Sequence, residues 1–108
     1  MTILHFCPRA EWERAQAEGE YAADTLAAEG FIHCSTAEQV HLPANELARG
    51  RTDLVLLEID ESRLAEPARV EGGFPHVYGP IPVAAVVAVH DFPPRPDGTF
   101  SAPPTLRT

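Results

Sequence analysis

Lysine is absent from these 108 residues, so all 8 basic side chains are arginines, set against 16 carboxylates for a net charge of −8. Affinity for nucleic acid rests chiefly on Lys and Arg neutralising phosphates. The deficit runs along the whole chain, with −5 over residues 1–50 and −3 over 51–108. Neither half is a basic lobe. The expectation is no polynucleotide partner and no membrane partner, while a small anionic ligand in a locally positive pocket stays open. Cysteine is scarce, with 2 in all, and MTILHFCPRAEWER has no basic leader before an apolar run. A disulfide scaffold is therefore not expected, and a reducing cytoplasm is. No uninterrupted apolar stretch approaches the ~18 residues of a membrane span.

What is present is ordinary for a globular chain: 44% hydrophobic and 22% charged residues, which excludes disorder and a coiled coil. The length suits one domain, read as residues 1–100 with a Pro-containing tail at 101–108. Residues 2–6 read as a strand with Ile3 and His5 on one face and Leu4 and Phe6 on the other. A helix over 8–18 follows, opened by Pro8, carrying Trp12 inward and closed by Gly19. Residues 20–29 are weakly patterned and read as loop, with a turn near Leu26. Phe31–Cys34 form a short strand. Ser35-Thr36-Ala37-Glu38 matches a capping box for a helix whose stripe is Val40, Ala44 and Leu47, with Pro43 imposing a kink or a split.

DLVLLEID (53–60) is the clearest strand, and its near-continuous apolar run predicts burial on both faces. Glu61–Leu64 suits one helical turn and Ala68–Glu71 a short strand. FPHVYGPIP (74–82) holds three Pro and one Gly, too many for regular structure. Val83–Val89 reads as a second buried strand, and Asp97-Gly98 as a turn. Strands outnumber helices without strict β-α alternation, so the class is α+β.

Polar functional groups collect in three places: His5, then GFIHCS (30–35), then FPHVYGP (74–80). Each His is of a type that serves as acid, base or anion donor near neutral pH. The plain alternative for a strand His is a ring bonded to a backbone carbonyl, and His5 taken singly fits that role. His33 and Cys34 are adjacent on a strand and face opposite sides, so they form no nucleophilic pair. Cys34 and Cys7 read as small core hydrophobes. Ser35 is either a helix cap or part of an anion site at a helix start. Prolines on both sides of His76 and Tyr78 hold these two side chains in place before a ligand arrives, or merely route the chain. Glu71 is the nearest carboxylate for acid, base or ribose-hydroxyl contact, or else an exposed edge residue. His33, His41, His76 and a Cys match no zinc spacing, so no metal site is read. No Gly-rich phosphate loop or nucleophile elbow occurs.

EGFIHCST (29–36) with Gln39 and Ala44-Asn45, DLVLLEID, Glu71 and FPHVYGP together resemble a small bacterial family, domain of unknown function 952, over about Thr2 to Phe100. The resemblance implies an α+β domain related to the ADP-ribosylation fold, with split sheets, two to three short helices and a cleft for NAD or ADP-ribose. It implies His5 contacting the nucleotide, His33 and Ser35 on the ribose side and Glu71 in the place of the catalytic acid, which makes His5, His33 and Glu71 the candidate catalytic residues and Ser35, His76 and Tyr78 the candidate ligand-binding ones. The chain departs from such enzymes in offering few arginines near its motifs, Arg9 and Arg69 being the nearest, and in carrying Pro43 where an aliphatic residue is expected.

The expectation is a pocket lined by His5, His33, Ser35, His76 and Tyr78, with Glu71 close by. It would take a small nucleotide-like ligand, with transfer or hydrolysis at a ribose as its chemistry. Protonated His would raise the affinity for an anionic ligand as the pH falls toward 6. The alternative is a non-enzymatic interaction module on the same fold. No cofactor follows from the residues alone.

Overall fold

The computed structural model describes residues 2–101; the tail expected at 101–108 lies, past Ser101, outside them. The order is β1 (Thr2–Pro8), α1 (Arg9–Glu18), β2 (Glu20–Tyr21), α2 (Asp24–Glu29), β3 (Ile32–His33), α3 (His41–Leu47), β4 (Leu54–Asp60), β5 (Arg69–Glu71), β6 (Phe74–Val77), β7 (Ile81–Pro82) and β8 (Val86–Asp91). Single 3-10 turns occupy Glu61–Arg63 and Val83–Ala85. The strands form three antiparallel sheets, β1-β4-β8, β2-β7 and β3-β6-β5. The class is α+β.

β4 is central, paired with β1 from Thr2↔Asp60 to Pro8↔Leu54 and with β8 on its other side. Its apolar run lets it bury both faces. Val55, Leu57 and Ile59 pack with Ile3, Cys7, Trp12, Tyr21 and Ile81, while Leu54 and Leu56 pack with Leu4, Val40, Ala44, Phe92 and Phe100. Trp12 is buried on α1, as its helical spacing predicts. The last strap of chain is clamped over α3 by Asn45. Its amide donates to the Phe100 carbonyl at 3.1 Å, and its carbonyl accepts the Phe100 N–H at 2.6 Å. The turn at Asp97-Gly98 forms, with the Gly98 N–H bonded to the Arg95 carbonyl.

Five local expectations are corrected. Residues 20–29 are not a loop: β2 pairs with β7, and α2 runs from Asp24 until Gly30, at φ +87, ends it in a left-handed turn. The capping box at Ser35–Glu38 does not form, because the Thr36 N–H takes the Gln39 side chain and the helix waits until His41. That late start removes the kink at Pro43, which now sits in the first turn, where its missing N–H has no intrahelical acceptor to lose. FPHV (74–77) is the central strand of its sheet despite Pro75. The Pro75 carbonyl accepts the Cys34 N–H at 3.0 Å, but its ring nitrogen returns no bond, and β3 stops at His33. Finally, Val83–Ala85 turn, and β8 begins only at Val86. As an edge strand it leaves Val87 and Val89 exposed, so its apolar run is not buried on both faces.

Candidate functional site

In the β3-β6-β5 sheet, β3 and β6 alternate, while edge strand β5 is exposed throughout. Ile32, Pro75 and Val77 are buried, and the neighbouring positions His33, Phe74 and His76 emerge on the other face. His33 and His76 are register partners, and Arg69 opposes His76 from β5. The His33 and His76 rings lie 5.4 Å apart, with the Phe31 ring 4.8 Å from the first and 4.6 Å from the second. The His76 Nδ1–H donates to the Phe74 carbonyl at 2.8 Å, which leaves Nε2 as an acceptor. His33 reaches Glu29 at 3.5 Å, both side chains being about half exposed. The Tyr78 hydroxyl is shared between the two carboxylate oxygens of Glu71 at 2.7 and 2.8 Å, and the Arg69 guanidinium lies 4.6 Å from the centre of the Tyr78 ring. The Glu71 hydrogen bond and charge raise the Tyr78 phenol above its ordinary pKa.

β1 supplies the floor. His5 shares the Ile3 face, where its Nδ1–H donates to the His33 carbonyl at 2.6 Å. A carbonyl cannot donate, so this bond sets the tautomer, and Nε2 accepts the Tyr21 hydroxyl at 2.9 Å. Although part of the imidazole opens to a cavity, it lies deep in the protein. Lost hydration pushes its pKa down to about 4, offset in part by the bond to the His33 carbonyl. His5 therefore carries no positive charge near pH 6, contrary to the expected rise in charge there. Burial pushes both thiols, Cys7 and Cys34, up to about 12, and both are free. They are inert core groups, as read from the strand alternation.

A cavity of about 560 Å³ lies between these walls. His5, His33, Ser35, Glu71 and His76 all line it, from four separated segments. Tyr78 does not; it stands behind Glu71 and reaches the cavity only through that carboxylate. Ser35 is buried and paired through its backbone with Leu4, its N–H donating at 2.8 Å and its carbonyl accepting at 2.7 Å. The expected helix start beside it is absent, so no row of free N–H groups faces the cavity from there. Sequence reasoning missed Tyr21, the partner of His5, and the side of α3 that bears Leu42, Pro43, Glu46 and Leu47 at the cavity wall. It also missed Thr25, another lining residue, whose hydroxyl is shut from solvent with no hydrogen-bond partner. An acidic residue at 24 and a glycine at 30 were available as start and stop signals for α2; nothing local marks Tyr21.

Among the described residues, no group of three His, Cys, Asp or Glu side chains is placed to hold a metal ion, and no helix is long and apolar enough to cross a membrane. Residues 6–89 match the model of a family described as "Protein of unknown function (DUF952)". Among solved structures, the crystal structures of protein CC0527 from Caulobacter crescentus and of a double mutant of it are similar to this chain. Each is 34% identical over 94% of both chains, with TM-scores of 0.83 and 0.84. The solution NMR structure of CC0527 is 36% identical over 91% of this chain and 90% of that one, with a TM-score of 0.78. No curated protein matches.

Proposed function

The chain belongs to the DUF952 family of proteins of unknown function, and we propose that its cavity binds a small ribose-bearing, nucleotide-like ligand of the NAD or ADP-ribose kind. The observation that carries this reading is the convergence of Glu71, His33 and His76 on one cavity of about 560 Å³, a size typical of small-molecule sites. The Glu71 carboxylate is steadied by Tyr78 and keeps lone pairs for ribose hydroxyls, and His76 Nε2 is a further acceptor. Phe74 and Leu42 add apolar surface for a base. The ADP-ribosylation-like fold that the resemblance of EGFIHCST and FPHVYGP implies would suit the same ligand class. The proposal extends to transfer or hydrolysis at the ribose, with Glu71 holding a hydroxyl. His5, neutral and bonded at both ring nitrogens, would shape the floor and hold the His33 backbone. Two free buried thiols fit a reducing cytoplasm.

A thermal-shift panel of NAD, ADP-ribose, nucleosides, nucleotides and nucleotide cyclic phosphates tests the reading. At least one ribose-bearing member should raise the melting temperature, and Glu71→Ala should abolish that shift. No shift from any member would leave the interaction-module reading in its place. That second reading has its own observation: Leu42 and Leu47 stand 53% and 75% exposed on α3.

A further inference from the structure

β5 is an edge strand, bonded to β6 on one side and, among the described residues, to no strand on the other. Its residues Arg69, Val70 and Glu71 are all exposed. Pro75 fixes which way their backbone groups point. It opposes Val70 in the ladder and has no N–H, so the two residues exchange no pair of hydrogen bonds. Pro75 turns its own carbonyl away to Cys34. In an antiparallel ladder the members of such a pair direct both backbone groups away from each other. The Val70 N–H and C=O therefore point out of the free edge, while Arg69 and Glu71 turn theirs inward to His76 and Phe74. The hairpin is held in place at its tip, where the Gln39 side chain donates to the Gly73 carbonyl at 3.1 Å.

Arg-Val-Glu is its own antiparallel complement. Pairing two β5 strands about a two-fold axis at Val70 sets Val70 against the partner's Val70, and the two exchange both outward bonds. Arg69 then opposes the partner's Glu71, and Glu71 opposes the partner's Arg69, at the closer spacing of about 4.5 Å between Cα atoms. Both charge pairs fall on the face shared with His76 and Phe74, which opens to the cavity. The valines, each 73% exposed in the single chain, cover one another on the opposite face. We propose that the protein forms a two-fold dimer through β5, joining two open sheets into one of six strands and placing the partner's Arg69 beside Glu71 at each cavity. Each cavity thereby gains a guanidinium, a group that none of its own lining residues supplies among the described residues. A guanidinium suits a phosphate-bearing ligand. That use rests on the ribose-ligand reading above, and the pairing does not.

Sedimentation velocity of the full 108-residue chain, at low salt and without ligand, tests the pairing apart from the ligand. Over about 10 μM to 1 mM a reversible two-chain species is expected. Arg69→Glu or Glu71→Arg alone sets like charges opposite each other and should weaken it about tenfold. Combining the two exchanges restores the complement and should restore the dimer. Val70→Pro removes the outward N–H without touching the β5–β6 ladder, and should leave folded single chains. A parent that stays single at about 1 mM overturns the inference and leaves the edge to a strand of another protein. Pairing that survives the single reversals, or that the double exchange does not restore, overturns it as well. If the dimer forms and no ribose-bearing probe binds, the ligand reading falls and the pairing stands.

Discussion

The two three-stranded sheets of this protein share one antiparallel plan and differ in what covers them. The β1-β4-β8 sheet is packed on both faces through its centre, by α1 and β2 on one side and by α3 and the Phe92–Phe100 strap on the other. The β3-β6-β5 sheet buries one face, through Ile32, Pro75 and Val77, and leaves the other to His33, Phe74, His76 and their neighbours. The first sheet holds the fold together and the second presents chemistry. A half-covered sheet can present titratable side chains without paying to bury their charge. His5 tests the rule from inside the first sheet. It is a polar residue on a covered face, and the protein holds it neutral, with both ring nitrogens bonded.

Truncation should separate the sheets most strongly. Trp12→Ala removes a buried side chain from the first sheet's cover and should cost ~3–5 kcal/mol in urea denaturation. His33→Ala, on the open face of the second, should stay within about 1 kcal/mol of the parent. A loss below about 1 kcal/mol for Trp12→Ala would sink the two-sided account. Next in size is the pH dependence set by His5, whose pKa falls from 6.5 to about 4 on folding. The unfolded chain therefore binds the extra proton first. The stabilisation is complete above about pH 6.5 and is lost progressively as the pH falls toward 4, a range on the order of 3 kcal/mol. Denaturation at stepped pH should show that slope, and His5→Gln should flatten it.

Asn45→Ala frees the strap that covers the second face of β4, with an expected loss of about 1–2 kcal/mol for two hydrogen bonds to the Phe100 backbone. A stability series pairing it with Leu56→Ala would show whether strap and sheet unfold together. On the open sheet, Glu71→Gln should leave thermal stability alone. It should bring the Tyr78 phenol back down toward its ordinary value, read by ultraviolet titration. The smallest effect belongs to metal removal. Dialysis against a strong chelator should not move the melting temperature, and a clear loss accompanied by stoichiometric zinc would contradict the reading.

Much of the first sheet was legible because its signals are local and redundant. DLVLLEID is apolar at nearly every position, Trp12 follows helical spacing, and both place side chains by period alone. The alternation at His33 and Cys34 was equally readable, since neighbours on any strand part to opposite faces. β6 was hidden by Pro75. A proline normally argues against a central strand, and here the ladder tolerates it because β3 ends opposite. Ser35 misled for a related reason: Gln39 captured the Thr36 N–H, and the helix began six residues after the serine. The site residues from His5 to His76 were visible as polar groups beside apolar runs. Tyr21 was not, because its partner lies 16 residues away and no spacing rule connects a two-residue strand to β1.

The sequence by itself determined the class, the buried central strand, the inert thiols and the absence of lysine. These depend on composition and on periods of 2 and 3.6 residues, which survive any packing of the elements. Tertiary structure decided which polar groups meet. It brought Glu71, His33, His76 and His5 to one cavity and left Tyr78 behind Glu71. It also turned the arginines nearest to the motifs away and placed α3 as the facing wall. Those outcomes hang on contacts between segments distant in the chain, whose energies exist only once the sheets have paired and the helices have docked.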